Sequence, residues 1–241
     1  LGELETLLTD NDGQIAGIIM EPLMQGASGM NFSRPRFVNR VAELARKANT
    51  LIIFDEVATG FGRTGTLFAC EQTEVVPDII CLSKGLTAGY MPMSVTVARD
   101  EIYDVFLGEG FEKALAHGHS FTGNPLACAV ALRSLQLFEE ENTLENIARI
   151  NKKHQAFAEQ LQTNRHVTYP RVLGSLLACN FQGGGEYKSD KSVALRDWYL
   201  SKGFNIRPIG STLYLMPPYC ISDEQLDQAY DIFIEGLDAV L

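Results

Sequence analysis

Short apolar runs alternate along the chain with longer segments in which apolar residues recur at helical spacing. The apolar runs at residues 15–20, 51–55, 78–82 and 93–98 have the length and composition of buried strands. Parallel strands need long crossover connections, which helices usually supply. The pattern therefore predicts an α/β fold with a mostly parallel sheet and crossover helices.

Two segments of helical periodicity accompany these strands. Residues 35–48 form an apolar face from Phe37, Val41, Leu44, Ala45 and Ala48. Ser33 is available as an N-terminal cap, and Pro35 suits the first turn. Residues 124–140 are largely apolar and have Pro125 at the start of the helical pattern, so we expect a long, mostly buried helix.

The pattern changes after residue 141. A polar helix up to residue 162, apolar runs at 167–173 and 176–181, a helix near 192–201 and a last helix after Asp223 predict a smaller α+β domain. The run Gly183-Gly184-Gly185 is expected to form a turn. We therefore expect residues 1–140 to belong to a large domain and residues 141–241 to be a small C-terminal domain.

Composition narrows the class of protein. The chain has 241 residues, of which 46% are apolar, enough for a substantial core. A net charge of −10 repels phosphate backbones, so nucleic acid is not an expected partner. The five cysteines form no C-x-x-C pair, which favours a reducing cytosol. No apolar run has the length of a membrane span, so we expect no membrane association and a cytoplasmic location.

The start of the chain suggests a longer parent fold. The first residue is Leu1, and residues 15–20 have the composition of a core strand with no earlier strand to pair with. We expect the chain to correspond to the back part of something longer.

Lys84 and Asp55 carry the most informative chemistry, because each follows a buried-type strand. Ligands of open α/β sheets bind at the carboxyl ends of strands, where these two side chains could face one ligand. A lysine amine can form a Schiff base with the aldehyde of pyridoxal phosphate, and a carboxylate can keep the pyridine nitrogen protonated. The released lysine can then move a proton. The structural alternative for Lys84 is a solvated surface lysine.

Other motifs support competing functions less well. An apolar run followed by Asp55 and Glu56 also occurs in nucleotide hydrolases, but the required G-x-x-x-x-G-K-[ST] loop is absent from the sequence. Residues 60–65 match G-x-G-x-x-G without the strand that a dinucleotide site needs directly before it. His117 and His119 alone are a poor zinc set, so we expect a turn there and no metal site.

Three blocks in order give the chain a family resemblance: residues 55–65 from Asp55 to Gly65, residues 77–86 around Ser83-Lys84-Gly85, and residues 117–125 from His117 to Pro125. With Glu21-Pro22 before them and Met216-Pro217-Pro218 after them, they resemble the class III aminotransferases of the fold type I pyridoxal phosphate enzymes. The resemblance covers nearly the whole chain. It implies a transaminase with pyridoxal phosphate as cofactor and small molecules as amino donor and keto acceptor.

The resemblance also implies roles for individual residues. Lys84 would be the lysine that bonds to the cofactor and Asp55 the partner of its ring nitrogen, which makes both catalytic, and Val57 would pack against one ring face. Ser120 stands where the family usually has threonine, whose hydroxyl binds the cofactor phosphate of the neighbouring subunit. His119 would contact the cofactor through its backbone. A homodimer follows from the same resemblance.

Within the family, residues 67–71 and 213–219 and Ala58 most resemble the subgroup that converts 8-amino-7-oxononanoate into 7,8-diaminononanoate in biotin synthesis, usually with S-adenosylmethionine as donor. Arg207 would bind the substrate carboxylate, and Tyr214 and Gly118 would line the substrate site. A planar guanidinium suits a carboxylate because it can bind both oxygens. The alternatives are a surface salt bridge for Arg207 and core packing for Tyr214.

Family members carry a further N-terminal half that grips the cofactor phosphate and stacks on the other ring face. The sequence lacks that half of the family fold. Three alternatives therefore stay open beside the biotin-pathway reaction. They are another ω-amino acid transaminase that uses pyruvate or a lysine-type donor, an isomerising relative, and an inactive fragment or paralogue that keeps only the fold.

Overall fold

The computed structural model describes residues 1–183 and 189–241, so most of the predicted glycine turn at 183–185 lies outside the described residues. The helices are α1 (Gly2–Asp10), α2 (Pro35–Lys47), α3 (Asp100–Asp104), α4 (Pro125–Glu140), α5 (Thr143–Leu161), α6 (Asp190–Ser201) and α7 (Asp223–Val240). The strands are β1 (Gly17–Met20), β2 (Met24–Gln25), β3 (Asn31–Phe32), β4 (Leu51–Asp55), β5 (Ile79–Leu82), β6 (Val95–Ala98), β7 (Val167–Leu173), β8 (Leu176–Phe181) and β9 (Thr212–Leu215). No helix among these residues has the length and apolar composition of a membrane span.

The chain divides into two compact units. The first contains Leu1–Leu23, Ser33–Phe61 and Phe68–Glu141, and the second contains Met24–Phe32, Gly62–Leu67 and Asn142–Leu241. Two short internal segments thus belong to the second unit. The division into a large domain at 1–140 and a small domain at 141–241 stays a prediction.

The first unit contains a sheet with strand order β1-β4-β5-β6. Strand β4 runs parallel to β1 and to β5, and the intervening α2 is a crossover helix. This confirms an α/β fold with a mostly parallel sheet. The expected parallel direction of β6 is wrong, because β6 pairs antiparallel with β5. The link between them contains only a short 3₁₀ turn at Lys84–Thr87, which reverses the chain without a crossover helix.

Helix α2 buries Val38, Val41, Ala42, Leu44 and Ala45. It begins after Arg34 without a side-chain cap, so Ser33 does not cap it as predicted. Phe37 lies at the edge of the buried face and is 38% exposed.

The prediction that α4 is mostly buried is wrong. Its buried residues are small ones, Ala127, Ala131 and Ser134, at helical spacing. Leu126 and Leu132 are 69% and 63% exposed. The small face packs against the Lys84–Thr87 turn, so the large apolar residues point to the other side of the helix.

The second unit has an antiparallel sheet of order β7-β8-β9 covered by helices, which is an α+β arrangement as predicted. Its core joins Phe157 of α5, Tyr199 of α6 and Phe233 of α7 to the inner face of the sheet. Phe157 stacks on Tyr230 with ring centroids 4.1 Å apart. Burial of aromatic side chains of this size contributes a few kcal/mol each, about 3–5 when truncated to alanine.

Candidate functional site

Asp55 and Lys84 lie at the carboxyl ends of neighbouring parallel strands. Asp55, the last residue of β4, pairs in register with Cys81 of β5, and Lys84 follows two residues after that strand ends. Asp55 is half-buried, and its Oδ1 atom accepts a hydrogen bond of 3.0 Å from the backbone N–H of Val57. The sheet therefore brings the two predicted catalytic residues to the same edge.

Lys84 has two features that suit a reactive amine. Its side chain is exposed, and within residues 1–183 and 189–241 it makes neither an ion pair nor a hydrogen bond. Its backbone has φ +43°, in the left-handed region that non-glycine residues rarely adopt. Such strained positions are enriched at functional sites, whereas a solvated surface lysine has no need of one.

The carboxylate of Glu56 is completely buried and fixes the turn after Asp55. It accepts hydrogen bonds from the backbone N–H groups of Ala69 at 2.7 Å and Cys70 at 2.8 Å, and from the hydroxyl of Thr59 at 3.0 Å. A buried charge is tolerated when it is hydrogen-bonded in this way. Glu56 is thus an anchor beside Asp55, a role that was not predicted from the sequence.

The G-x-G-x-x-G match at residues 60–65 does not have the strand–turn–helix form of a dinucleotide site. Gly60 lies so close to the backbone oxygen of Glu56 that a β-carbon there would be only 2.8 Å away. Phe61 is buried and packs directly on Gly85, the residue after Lys84. The contact was not predicted, although a glycine in each segment was a signal of close approach.

A cavity of about 780 Å³ in the first unit borders Ser83 and is also lined by Gly118, His119, Thr122 and Asn124. Gly118 and His119 therefore lie where a ligand could reach them. Ser120 is exposed in the same turn but is not among the residues that line the cavity. The hydroxyl of Thr122 accepts a 3.1 Å hydrogen bond from the N–H of His119 and is a further lining hydroxyl that sequence analysis did not select.

Arg207 and Tyr214 line a pocket of about 630 Å³ in the second unit. The rest of its lining is largely apolar and includes Ile206, Met216 and Leu226. Arg207 is exposed, and among the described residues it has no ion-pair partner, so a surface salt bridge does not account for it there. Tyr214 is half-buried at the pocket wall, not enclosed in the core.

Arg63 supports the wall of this pocket from within the second unit. Its guanidinium donates hydrogen bonds of 3.2 Å to the hydroxyl of Ser175 and to the backbone oxygen of Pro217. It also lies 4.5 Å from the ring centre of Tyr219, a cation–π contact. Burial lowers the pKa of Arg63, which still carries its charge at neutral pH. Within the G-x-G-x-x-G segment, nothing in the sequence marks Arg63 as a supporting residue.

The first unit thus groups Asp55, Val57 and Lys84 at one sheet edge, and Gly118 and His119 at a cavity beside Ser83. The residues present fit pyridoxal phosphate, because an exposed amine and a carboxylate on adjacent strand ends are the donor set that this cofactor needs. Arg207 and Tyr214 belong to the second unit, and their partnership with Lys84 stays a prediction.

The chain is similar to proteins named adenosylmethionine-8-amino-7-oxononanoate aminotransferase. It is 41% identical to that of Synechococcus elongatus over 229 residues, which are 95% of this chain and 54% of the relative. It is 40% identical to that of Geobacter sulfurreducens over 245 residues, 99% of this chain and 53% of the relative. The crystal structure of the Methanocaldococcus jannaschii protein of that name superposes with a TM-score of 0.93 at 34% identity, covering 99% of this chain and 57% of that one.

These matches confirm the predicted fold and the resemblance on which it was based. The chain spans about half the length of the curated relatives it matches, 54% in the first case. The family model described as aminotransferase class III matches residues 1–237. The chain therefore belongs to the class III aminotransferase family.

Proposed function

We propose that this chain carries the lysine-bearing part of an aminotransferase that converts 8-amino-7-oxononanoate into 7,8-diaminononanoate in biotin biosynthesis, with S-adenosylmethionine as amino donor. The names of its relatives support this reaction. The observation that carries the proposal is the exposed Lys84, whose side chain has no ion-pair partner among the described residues, at the sheet edge that also holds Asp55. An amine in that place can bond to a cofactor, whereas one held in an ion pair would first have to be released.

Class III aminotransferases in general depend on pyridoxal phosphate. When bound, this cofactor supplies a ring that accepts the electron pair left on a substrate carbon when a proton departs. Asp55 would hold the proton on the ring nitrogen through its carboxylate. Val57 would pack its apolar side chain on the ring. Lys84 would anchor the cofactor, and its Nζ atom would then hold the departing proton and return it.

The turn at residues 117–122 would serve the same site. Gly118 and His119 would contact substrate and cofactor through their backbones, in line with their position on the cavity beside Ser83. The exposed hydroxyl of Ser120 would bind the cofactor phosphate of a neighbouring subunit, which makes a homodimer part of the proposal.

The pocket of the second unit would contribute to substrate binding. The guanidinium of Arg207 would bind the carboxylate, and Tyr214 with the apolar lining would contact the methylene chain. In this scheme residues 1–140 are the cofactor-binding domain and residues 141–241 the small domain. We place the enzyme in the cytoplasm, where the five free thiols would stay reduced.

The first experiment is to incubate the purified chain with pyridoxal phosphate, reduce it with borohydride and locate the adduct by peptide mass spectrometry. We expect a visible absorbance band before reduction and an adduct at Lys84 after it. Lys84→Arg keeps the positive charge and is the matched control, since it should lose both signals. An intact chain without an adduct at Lys84 would contradict the proposal.

The second experiment assays 8-amino-7-oxononanoate with S-adenosylmethionine as amino donor. In parallel, it assays an ω-amino acid as donor with pyruvate as keto acceptor, and 8-amino-7-oxononanoate with lysine as donor. Formation of 7,8-diaminononanoate with S-adenosylmethionine is the expected result. Turnover only in the parallel assays would assign the chain to another class III reaction. An adduct at Lys84 with turnover in none of them would mark a fragment that keeps the cofactor site alone.

A further inference from the structure

The turn that carries Lys84 is held in an uncommon shape by several contacts. Lys84 has a left-handed backbone, φ +43°. Its carbonyl oxygen accepts a hydrogen bond of 3.2 Å from the N–H of Gly89, and the N–H of Leu86 donates to the oxygen of Ser83 at 3.0 Å. From α4, the hydroxyl of Ser134 donates to the oxygen of Gly85 at 3.3 Å. The direction of the Lys84 side chain therefore depends on groups that hold this turn.

Phe61 also packs against this turn. A β-carbon added to Gly85 would lie 2.7 Å from Cβ of Phe61, 3.1 Å from its Cγ and 3.0 Å from its Cδ2. Real contacts of that kind are not this short, so only glycine fits against Phe61. The two segments are in direct contact one residue away from the reactive amine.

Phe61 is itself held firmly. It is only 3% exposed, it adopts φ +56°, and its ring meets that of Phe68 edge-on with centroids 5.5 Å apart. It follows Gly60, whose N–H donates to the backbone oxygen of Glu56 at 3.0 Å, while the Glu56 carboxylate is fixed as described above. A continuous set of contacts thus runs from the turn after Asp55, through Phe61, to the turn of Lys84.

We propose that Phe61 is a positioning residue for Lys84, whose packing on Gly85 keeps the amine in its reactive orientation. The inference rests on the proposed role of Lys84. It gives the G-x-G-x-x-G segment a structural role that differs from phosphate binding. Phe61 acts through Gly85 and touches no substrate.

If Phe61 only packed the core, its substitution would change stability but leave Lys84 as reactive as before. The chain offers variants that separate the two roles. Phe61→Leu keeps the Cβ, Cγ and Cδ atoms that face Gly85. Phe61→Ala keeps Cβ and removes the Cγ and Cδ atoms. Phe68→Ala is the control, because it removes the same aromatic contact without touching Gly85.

The test uses the full chain and measures the rate of adduct formation at Lys84 with pyridoxal phosphate between pH 6 and 9. The rate at which Lys152 is acetylated is the internal reference for amine reactivity, because this lysine is exposed and far from Lys84 in the sequence. We expect Phe61→Ala to slow the reaction at Lys84 about tenfold or more and to change its pH profile, because misplaced reacting groups lose rate steeply. Phe61→Leu should restore most of the rate, and Phe68→Ala should react like the parent chain.

Two results would overturn the inference in different ways. If Phe61→Ala and Phe68→Ala lose stability alike and react like the parent chain, Phe61 only packs the core, and the proposed function stands. If the folded parent chain forms no adduct at Lys84, the proposed function fails and the inference fails with it.

Discussion

The Nδ1 atom of His154 lies 2.7 Å from the hydroxyl oxygen of Tyr230, and its Nε2 atom lies 3.2 Å from the backbone oxygen of Ser175. Because a carbonyl oxygen can only accept, Nε2 carries the proton, and Nδ1 accepts from the tyrosine. The imidazole is completely buried and neutral in this arrangement. Burial lowers the pKa of His154 from 6.5 to about 4, although the contact with Ser175 opposes the shift.

This pair makes the second unit sensitive to acid. The unfolded chain binds a proton on His154 near pH 6.5, whereas the folded chain binds it only near pH 4, so stability is complete above pH 6.5 and falls as the pH drops towards 4. The loss is at most about 3 kcal/mol. It can be measured by urea unfolding between pH 7.5 and 4.5, followed by the fluorescence of Trp198, the one tryptophan of the sequence.

His154→Gln removes the titrating group and should make the free energy of unfolding less dependent on pH, even if it lowers stability at pH 7.5. His117→Gln, an exposed site in the first unit, is the control and should leave the pH dependence of Trp198 unfolding unchanged. Equal slopes for His154→Gln and the parent chain would contradict the assignment.

Arg171 is a buried cation that is satisfied by oxygens of backbone and amide groups. Its guanidinium donates to the backbone oxygens of Met30 at 2.8 Å and Gly29 at 2.7 Å, to that of Tyr169 at 2.9 Å, and to the side-chain oxygen of Asn180 at 3.0 Å. It also lies 4.7 Å from the ring centre of Tyr169. Arg171 thus fastens the segment Met24–Phe32 to the sheet of the second unit.

Arg171→Lys should destabilise the second unit by about 3 kcal/mol, because one ammonium cannot replace a planar group with several donors and the buried oxygens lose their partners. Amide hydrogen exchange in residues 26–32 should accelerate as well. Arg165→Lys, at an exposed position of the same unit, should change stability by less than about 0.5 kcal/mol. A similar small change in both variants would show that Arg171 is not a fastening residue.

The parts of the fold that follow from local pattern could be predicted. The strands ending at Asp55 and Leu82 are apolar runs with a charged residue at or just after the end. Their parallel pairing and the position of Lys84 just after a strand could therefore be predicted. The direction of β6 did not follow, because strand composition is the same for parallel and antiparallel pairing. The link between β5 and β6 determines the direction of β6, and this link is short and shows no helical period.

Contacts between distant segments could not be predicted. The glycines of the two segments indicate close approach but not that Phe61 packs on Gly85, and nothing near His154 indicates Tyr230 as its partner. For α4, spacing alone could not tell which face was buried, and the face of small residues was the one that packs. At these positions tertiary packing decides which residues are in contact and which face is buried, and a single sequence carries only an indirect signal of that packing.

Glu56 offers a test of the turn after Asp55. Glu56→Gln places an amide N–H₂ where an oxygen accepts from backbone N–H groups, so at least one buried donor loses its partner. We expect a loss of about 2–4 kcal/mol, the usual effect of a broken hydrogen bond to a buried charge with an unsatisfied group left behind. Amide exchange in residues 56–72 should rise, as measured by mass spectrometry, with thermal unfolding as a second readout.

The matched control is Glu71→Gln, which changes an exposed carboxylate in the 3₁₀ turn Ala69–Gln72, the turn whose Ala69 and Cys70 N–H groups donate to Glu56. Stability within about 0.5 kcal/mol of the parent chain is expected there. If Glu56→Gln also stayed within that range, the Glu56 carboxylate would not anchor the turn.

Gly85 provides the most direct test of how closely the Lys84 turn is packed. Gly85→Ala places a methyl group 2.7 Å from Cβ of Phe61, and because both neighbours are fixed, the turn has to move. We expect destabilisation of about 1–3 kcal/mol, typical of overpacking, and a fall of about tenfold in the rate of adduct formation with pyridoxal phosphate at Lys84. Gly17→Ala is the control from the same sheet, where the nearest atoms to the new methyl are 3.5 Å away, an ordinary contact. If Gly85→Ala behaved like Gly17→Ala, the backbone next to Lys84 would adapt freely, and close packing on Phe61 would not be needed for the reactivity of the amine.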